Sequence, residues 1–375
     1  MNVKIDMHRN REGASHGVCG CRSDRRRAVR PGHRTRTTRT GAGAGGPGGV
    51  GTGGRVWPRY YDSLTLFSPA GHSSLPGLPF GGDPERYPHR DEVVAYLLRY
   101  ADRLDADIRT GVRVAEVATA DGGFTLTLED GGRLSARGVV AASGTFGRPY
   151  RPALPGLEKF AGAVLHAADY RAPQPSAGPG VPPAGGRGRV VVVGAGNSAV
   201  QIAAELAAHA RVTLAARHPV RFTRQRVLGR DLHWWLKVTG IDVLPVGRFL
   251  RTPPAQPVID DGRYRAAVTA GAPDVRPVFR EMEGTKVTWT DGSTEEVDTI
   301  VLATGYRPDL GYLRPVGALD AEGRPRHREG VSATHPGLAY VGLEWQRSLS
   351  SNSLRGVGRD ATRIAARLAA RLRAR

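Results

Sequence analysis

From Trp57 onward the spacing of apolar positions changes several times along the chain, and each spacing predicts an element. Between Asp91 and Leu104 the apolar residues Val93, Val94, Leu97, Leu98 and Ala101 recur at helical intervals behind the acidic pair Asp91 and Glu92, which suits a helix N-terminus. A helix is predicted there. Three alternating runs follow, Val112 to Val117, Phe124 to Leu128 and Arg133 to Ala136, parted by the turn pairs Asp121-Gly122 and Asp130-Gly131. They predict a three-stranded meander leading into the apolar strand GVVAASG, which ends at Gly144.

The same order returns downstream. Val287 to Thr290, the turn Asp291-Gly292 and Glu295 to Val297 precede the apolar strand TIVLATG, which ends at Gly305. In a dinucleotide-binding domain such a meander follows a strand-helix-strand unit and feeds one more parallel strand back beside it. Two copies predict an α/β chain with two Rossmann-like domains and two nucleotide sites.

One phosphate loop is explicit in residues 187 to 217, GRVVVVGAGNSAVQIAAELAAHARVTLAAR. Val190 to Val193 read as a strand buried on both faces. Gly194 permits the tight turn, Gly196 admits the pyrophosphate to the backbone, and Ala199 lets the following helix pack closely on the strand. The second strand ends at Arg217, with Arg221 and Arg224 nearby, where an NAD site would place an acid. A guanidinium there suits a 2′-phosphate, so NADPH is expected over NADH. A literal G-x-G-x-x-G at Gly41, Gly43 and Gly46 is discounted, because no apolar strand precedes it and Pro47 stands where a helix should begin.

Composition separates the first 56 residues from the rest. They hold no Leu, Phe, Tyr or Trp and end in GAGAGGPGGVGTGG, a segment expected to be disordered. They also carry much of the formal charge of +19, so the overall basicity does not argue for nucleic-acid binding. A length of 375 residues favours more than one core. No apolar run reaches the roughly 18 residues of a membrane span and no secretory leader is apparent, so a cytoplasmic location is expected. The only cysteines are Cys19 and Cys21, which leaves the body of the chain without a redox pair or thiolate metal site.

Several further motifs stand in fixed order: YYDSLTLFSPAGHSSLPGLPF, RYPHRDEVVAYL, ASGTFGRP, the spaced Phe160, Gly162, His166 and Tyr170, VVVVGAGNSA, QRVLGRDLHWWL, ATGYRPD and GLAYVGLEWQRSLSSNSLRGVGRDA. In these the chain resembles the flavin-containing monooxygenase family, particularly its CzcO-like bacterial branch. The resemblance implies FAD in a discontinuous outer domain (57–152 and 296–375) and NADPH in an inserted one (153–295). It also implies flavin C4a-hydroperoxide chemistry, with O₂ and a small apolar N-, S- or carbonyl-containing substrate.

Carried over by position, the NADPH residues would be Gly194, Gly196, Asn197, Ser198, Ala199, Arg217 and Arg221. Those for FAD would be Trp57, Asp62, Leu64, Val114, Gly144, Gly305, Gly342, Trp345, Leu354 and Gly356. His166, Asn197 and Ser198 would have positioning roles; no metal and no acid-base triad is implied. Trp234, Trp235 and Trp345 are expected in the pocket walls. The family places a first strand, glycine turn and helix where residues 1–56 stand, and this composition is what an out-of-frame reading of GC-rich coding sequence yields. The chain as it stands is therefore expected to lack a working FAD site. A regulatory, ion-transport-associated flavoprotein without oxygenase activity is the alternative. The C-terminal stripe of Arg363, Arg367 and Arg371 is read as a solvated face beside buried Ile364, Leu368 and Leu372.

Overall fold

The computed structural model describes residues 57–173, 188–250 and 253–374, together with an antiparallel pair, His8–Arg9 and Ser15–His16. That pair lies in the segment expected to be disordered; the remainder of residues 1–56 falls outside the described residues.

The first predicted helix is α1, Arg90–Asp102, and its start is closed by its own residues: His89 Nδ1 accepts from the Asp91 amide and Glu92 accepts from the His89 amide. The predicted meander is β1, Val114–Ala120, β2, Gly123–Leu128, and β3, Arg133–Ala136, paired antiparallel in sequence order. Alternation places Val117, Phe124, Leu126 and Ala136 inside. The chain then enters β4, Val139–Ala141.

A five-stranded parallel sheet follows. Its strands are β5, Ala163–His166, β6, Arg189–Val193, β7, Arg211–Ala216, β8, Asp274–Pro277, and β12, Thr299–Leu302, in the order β8-β7-β6-β12-β5. Between β6 and β7 runs α2, Asn197–Ala207, burying Ala199, Val200, Ile202, Ala203 and Leu206 against Val190, Val192, Val212 and Leu214. Later come α3, Leu232–Thr239, and α4, Arg263–Thr269. The second meander has three strands, β9, Glu281–Glu283, β10, Lys286–Thr288, and β11, Thr294–Glu296. Its first strand escapes a pattern reading because it offers one apolar residue, Met282, between two glutamates.

The sequence boundary at 296 needs correction. It cuts ahead of β12, yet β12 is hydrogen-bonded on both sides within the five-stranded sheet, to β6 and to β5. The crossing back comes just after it, where Tyr306–Arg307 pairs antiparallel with Arg148–Pro149. Beyond the crossing, β13, Leu338–Tyr340, runs parallel to β4 and the chain ends in α5, Leu354–Arg373. The other edge of β4 has no ladder partner among the described residues. Thus two α/β sheets are present; one has its phosphate-loop strand between neighbours and the other ends at β4.

Candidate nucleotide sites

Why α2 should receive a ligand is clearest from how helices elsewhere close their first turns. Free N–H groups at a helix start need acceptors, and α1 and α3 supply them from their own chain, through His89 and through Asp231. In α4 the carboxylates of Asp260 and Asp261 accept from Arg263, Tyr264 and Arg265 amides. By contrast, α2 and α5 begin at Gly196 and Ser353 with no side-chain cap. These two open N-termini follow strands that end in glycine turns, the arrangement that binds anions.

At α2 the loop fits a dinucleotide phosphate. Gly194 has φ +148°, and a Cβ there would lie 2.4 Å from the Ala303 carbonyl oxygen and 3.0 Å from the Ala199 Cβ, so both small residues are required by packing. A Cβ on Gly196 would meet nothing within 4 Å, leaving open space over the helix start. Arg217 and Arg221 are exposed beyond the end of β7. The proposed NADPH residues therefore share one sheet end.

Asn197 and Ser198 are partly committed to the protein. Asn197 Oδ1 accepts from the Ile259 amide at 3.1 Å, and Ser198 lies within hydrogen-bonding reach of the buried Tyr61 hydroxyl. Tyr61 also donates to Gln201, and Tyr170, stacked at a tilt beside it, donates to Glu205 on α2 at 2.9 Å. Burial pushes both phenols far above their ordinary range, so they remain neutral donors.

His166 is fully buried and both ring nitrogens are used on backbone. Nδ1 accepts from the Ala168 amide at 3.0 Å, which makes Nε2 the donor to the Gly305 carbonyl at 3.1 Å. Burial lowers its pKa, consistent with a neutral ring. The same Gly305 carbonyl accepts from the Tyr150 amide, and Thr304 donates to the Tyr150 carbonyl. His166 thus pins the two interdomain crossings together.

Residues assigned to FAD fall into three groups. Gly144 and Gly342, with φ +67° and +84°, end the parallel pair β4 and β13, and their backbones approach so closely that a Cβ on Gly144 would lie 3.6 Å from the Gly342 carbonyl. Thr145 cross-links the turns by accepting from the Glu344 amide at 2.8 Å. Beside them Trp345 adopts φ +51°, and Trp345 Nε1 and Gln346 Nε2 are buried without a partner among the described residues. Buried donors left unpaired are a sign of a missing acceptor.

In the second group, Trp57 and Leu354 pack on one cluster around Phe80 and Tyr96, near the start of α5, while Gly356 is packed tightly on Ser350. The third group is not gathered there. Leu64 packs on the core around α2, Asp62 is paired with Arg90 at 2.5 Å, Val114 opens the meander, and Gly305 ends β12 in the other sheet. The described residues therefore fit the far edge of a flavin nucleotide but offer no glycine turn for its pyrophosphate.

Sequence reasoning missed a buried cluster between the lobes. Asp231 accepts from Tyr87 at 2.7 Å, Gln225 at 2.7 Å, and the His233 amide at 2.7 Å, and it is hydrogen-bonded to His233 Nδ1 at 2.8 Å. Gln225 also donates to the Phe67 carbonyl. Burial pushes the Asp231 carboxyl up, but these hydrogen bonds outweigh it and hold the group down at about 2. The partners lie up to 144 positions apart in sequence, so no local pattern reveals them.

The comparisons agree with this layout. Residues 50–239 match the family described as pyridine nucleotide-disulphide oxidoreductase. The "Uncharacterized oxidoreductase CzcO-like" of Geobacillus kaustophilus is 32% identical over 82% of this chain and 86% of its own length. The indole-3-pyruvate monooxygenase YUCCA1 of rice is 31% identical over 82% of this chain and 80% of its own length. Among solved structures, a flavin-containing monooxygenase from Stenotrophomonas maltophilia superposes with a TM-score of 0.71 at 29% identity, covering 84% of this chain and 87% of that one. With two α/β sheets, two open helix starts and these relatives, the chain belongs to the flavin-containing monooxygenases within the pyridine nucleotide-disulphide oxidoreductases.

Proposed function

We propose that this chain is built for NADPH- and FAD-dependent monooxygenation of a small apolar substrate bearing nitrogen, sulfur or a carbonyl, and that as it stands it binds NADPH without FAD. The observation that carries the reading is the pair of uncapped helix starts, at α2 and α5, each behind glycine-ended parallel strands. NADPH supplies a hydride when bound. The chain contributes the α2 amides and Gly196 for the pyrophosphate, Arg217 and Arg221 for the 2′-phosphate, and the clamp of His166 on Gly305, which sets the two lobes relative to each other. The described residues contain no second glycine turn that would hold the flavin pyrophosphate.

Disulfide reduction is not proposed, since both cysteines lie at positions 19 and 21. The regulatory alternative is separated by oxygen chemistry. A chain carrying an in-frame strand, glycine turn and helix ahead of Trp57 is expected to oxidise NADPH with O₂ uptake in the absence of substrate; a binding protein without oxygenase activity would do neither. In that chain, or in the present one by direct titration, Arg217→Ala with Arg221→Ala should weaken NADPH about 10- to 100-fold and leave NADH unchanged, the loss of charge-assisted phosphate contacts. Equal weakening of both nucleotides would remove the assignment.

A further inference from the structure

Beside α5 lies a cavity of about 670 Å³, lined by Arg248, Arg328, Arg347, Arg363 and Arg367 around the single carboxylate of Glu329. The guanidiniums come from separate parts of the chain. Arg363 and Arg367 project one turn apart from α5, Arg328 comes from the strand pair beside β13, Arg347 from the loop after β13, and Arg248 from the turn 247–249. The Gly247 amide donates to the Arg347 carbonyl at 2.9 Å, which ties the last two walls together.

Like charges gathered from separate segments repel one another, a repulsion that an anion among them would relieve. Glu329 is an insufficient one. It is 11% exposed and held at φ +50°, yet it stands 3.9 Å from Arg248, 3.9 Å from Arg363 and 3.8 Å from Arg367, beyond hydrogen-bonding distance. Arg347 likewise stands 3.7 Å from Asp360 and keeps its buried Nε unpaired. Arg328 has no carboxylate partner among the described residues. Arg248, Arg363 and Arg367 are 40%, 49% and 51% exposed, so their donors are open to an anion entering from solvent.

We propose that this cavity binds a small organic anion carrying carboxylate or phosphate groups, with Arg363 and Arg367 as its helix-borne clamp and Glu329 as an internal competitor that tempers affinity. The C-terminal arginine stripe then has a use beyond solvation.

The test uses the full chain saturated with NADP⁺, so that the α2 site does not take up the probe. Citrate and inorganic pyrophosphate are titrated separately by calorimetry at constant ionic strength. At least one is expected to bind; Arg363→Gln with Arg367→Gln should weaken it about 100-fold, roughly tenfold for each charge-assisted donor removed. Preference for citrate would assign a carboxylate ligand, and preference for pyrophosphate a phosphate one. Binding of neither probe, or equal binding by the double variant, overturns the proposal. Should the double variant fail to fold, Glu329→Gln decides the matter. It is expected to tighten binding about threefold by removing the competing charge, and unchanged or weaker binding would count against the site.

Discussion

Gly196→Val should abolish tight NADPH binding, weakening it at least about 100-fold, while leaving the thermal midpoint within a few degrees of the parent. The reasoning separates protein from ligand. A Cβ at this position meets no protein atom within 4 Å, and the backbone at φ −90°, ψ −176° is one that valine adopts readily. The empty space is where a pyrophosphate must approach the helix start, so the added methyls clash only with the ligand. A 100-fold loss corresponds to about 2.7 kcal/mol. Gly194→Val provides the contrast, because its Cβ would be driven into the Ala303 carbonyl and the variant should not fold. Calorimetric titration with NADPH beside a thermal melt distinguishes the two; retained binding in Gly196→Val would remove α2 as the phosphate site.

A large stability effect is also expected at Asp231. Replacing it with alanine strands the Tyr87 hydroxyl, the Gln225 amide and His233 Nδ1 in a buried space and removes the cap of α3. Breaking a buried charged cluster from one side costs about 3–5 kcal/mol, which lowers the melting midpoint by about 4–6 °C in a chain of this size. Acid should act on the same group. The folded carboxyl lies at about 2, below its unfolded value near ~3.9, so its stabilisation is complete above the unfolded value and is lost as pH falls through about 2. Its worth at neutral pH is on the order of 2 kcal/mol. Denaturant melts of the parent and Asp231→Ala between pH 6 and pH 2 should converge as acid is added; a constant gap would show that the carboxylate charge is not the source.

These two sites also show what the sequence makes legible. The α2 loop is written in contiguous residues, because four valines, a glycine turn and a small-residue helix face each act on their immediate neighbours. The meander β1 to β3 and the helix α1 are legible for the same reason, down to the acidic first turn. Asp231 is not, since its meaning comes from Tyr87 and from the Phe67 carbonyl across the lobe boundary. His166 is legible only in part. The resemblance implies a positioning role for it, and the geometry adds what no spacing shows, that both ring nitrogens are used on backbone groups beside the crossings. Asn197 is similar, with its side-chain oxygen engaged by the Ile259 amide. The boundary at 296 misplaced β12 because an apolar strand carries no mark of which sheet it joins.

On the function proposed above, the chain keeps one nucleotide grip and lacks the other. Strand β4, open along one edge among the described residues, lies where the companion phosphate strand would pair. The direct measurement is a visible absorbance spectrum of the full chain, purified with excess FAD and then desalted, read alongside an NADPH titration. A colourless protein that still binds NADPH is the expected result. A yellow protein with stoichiometric flavin would contradict it.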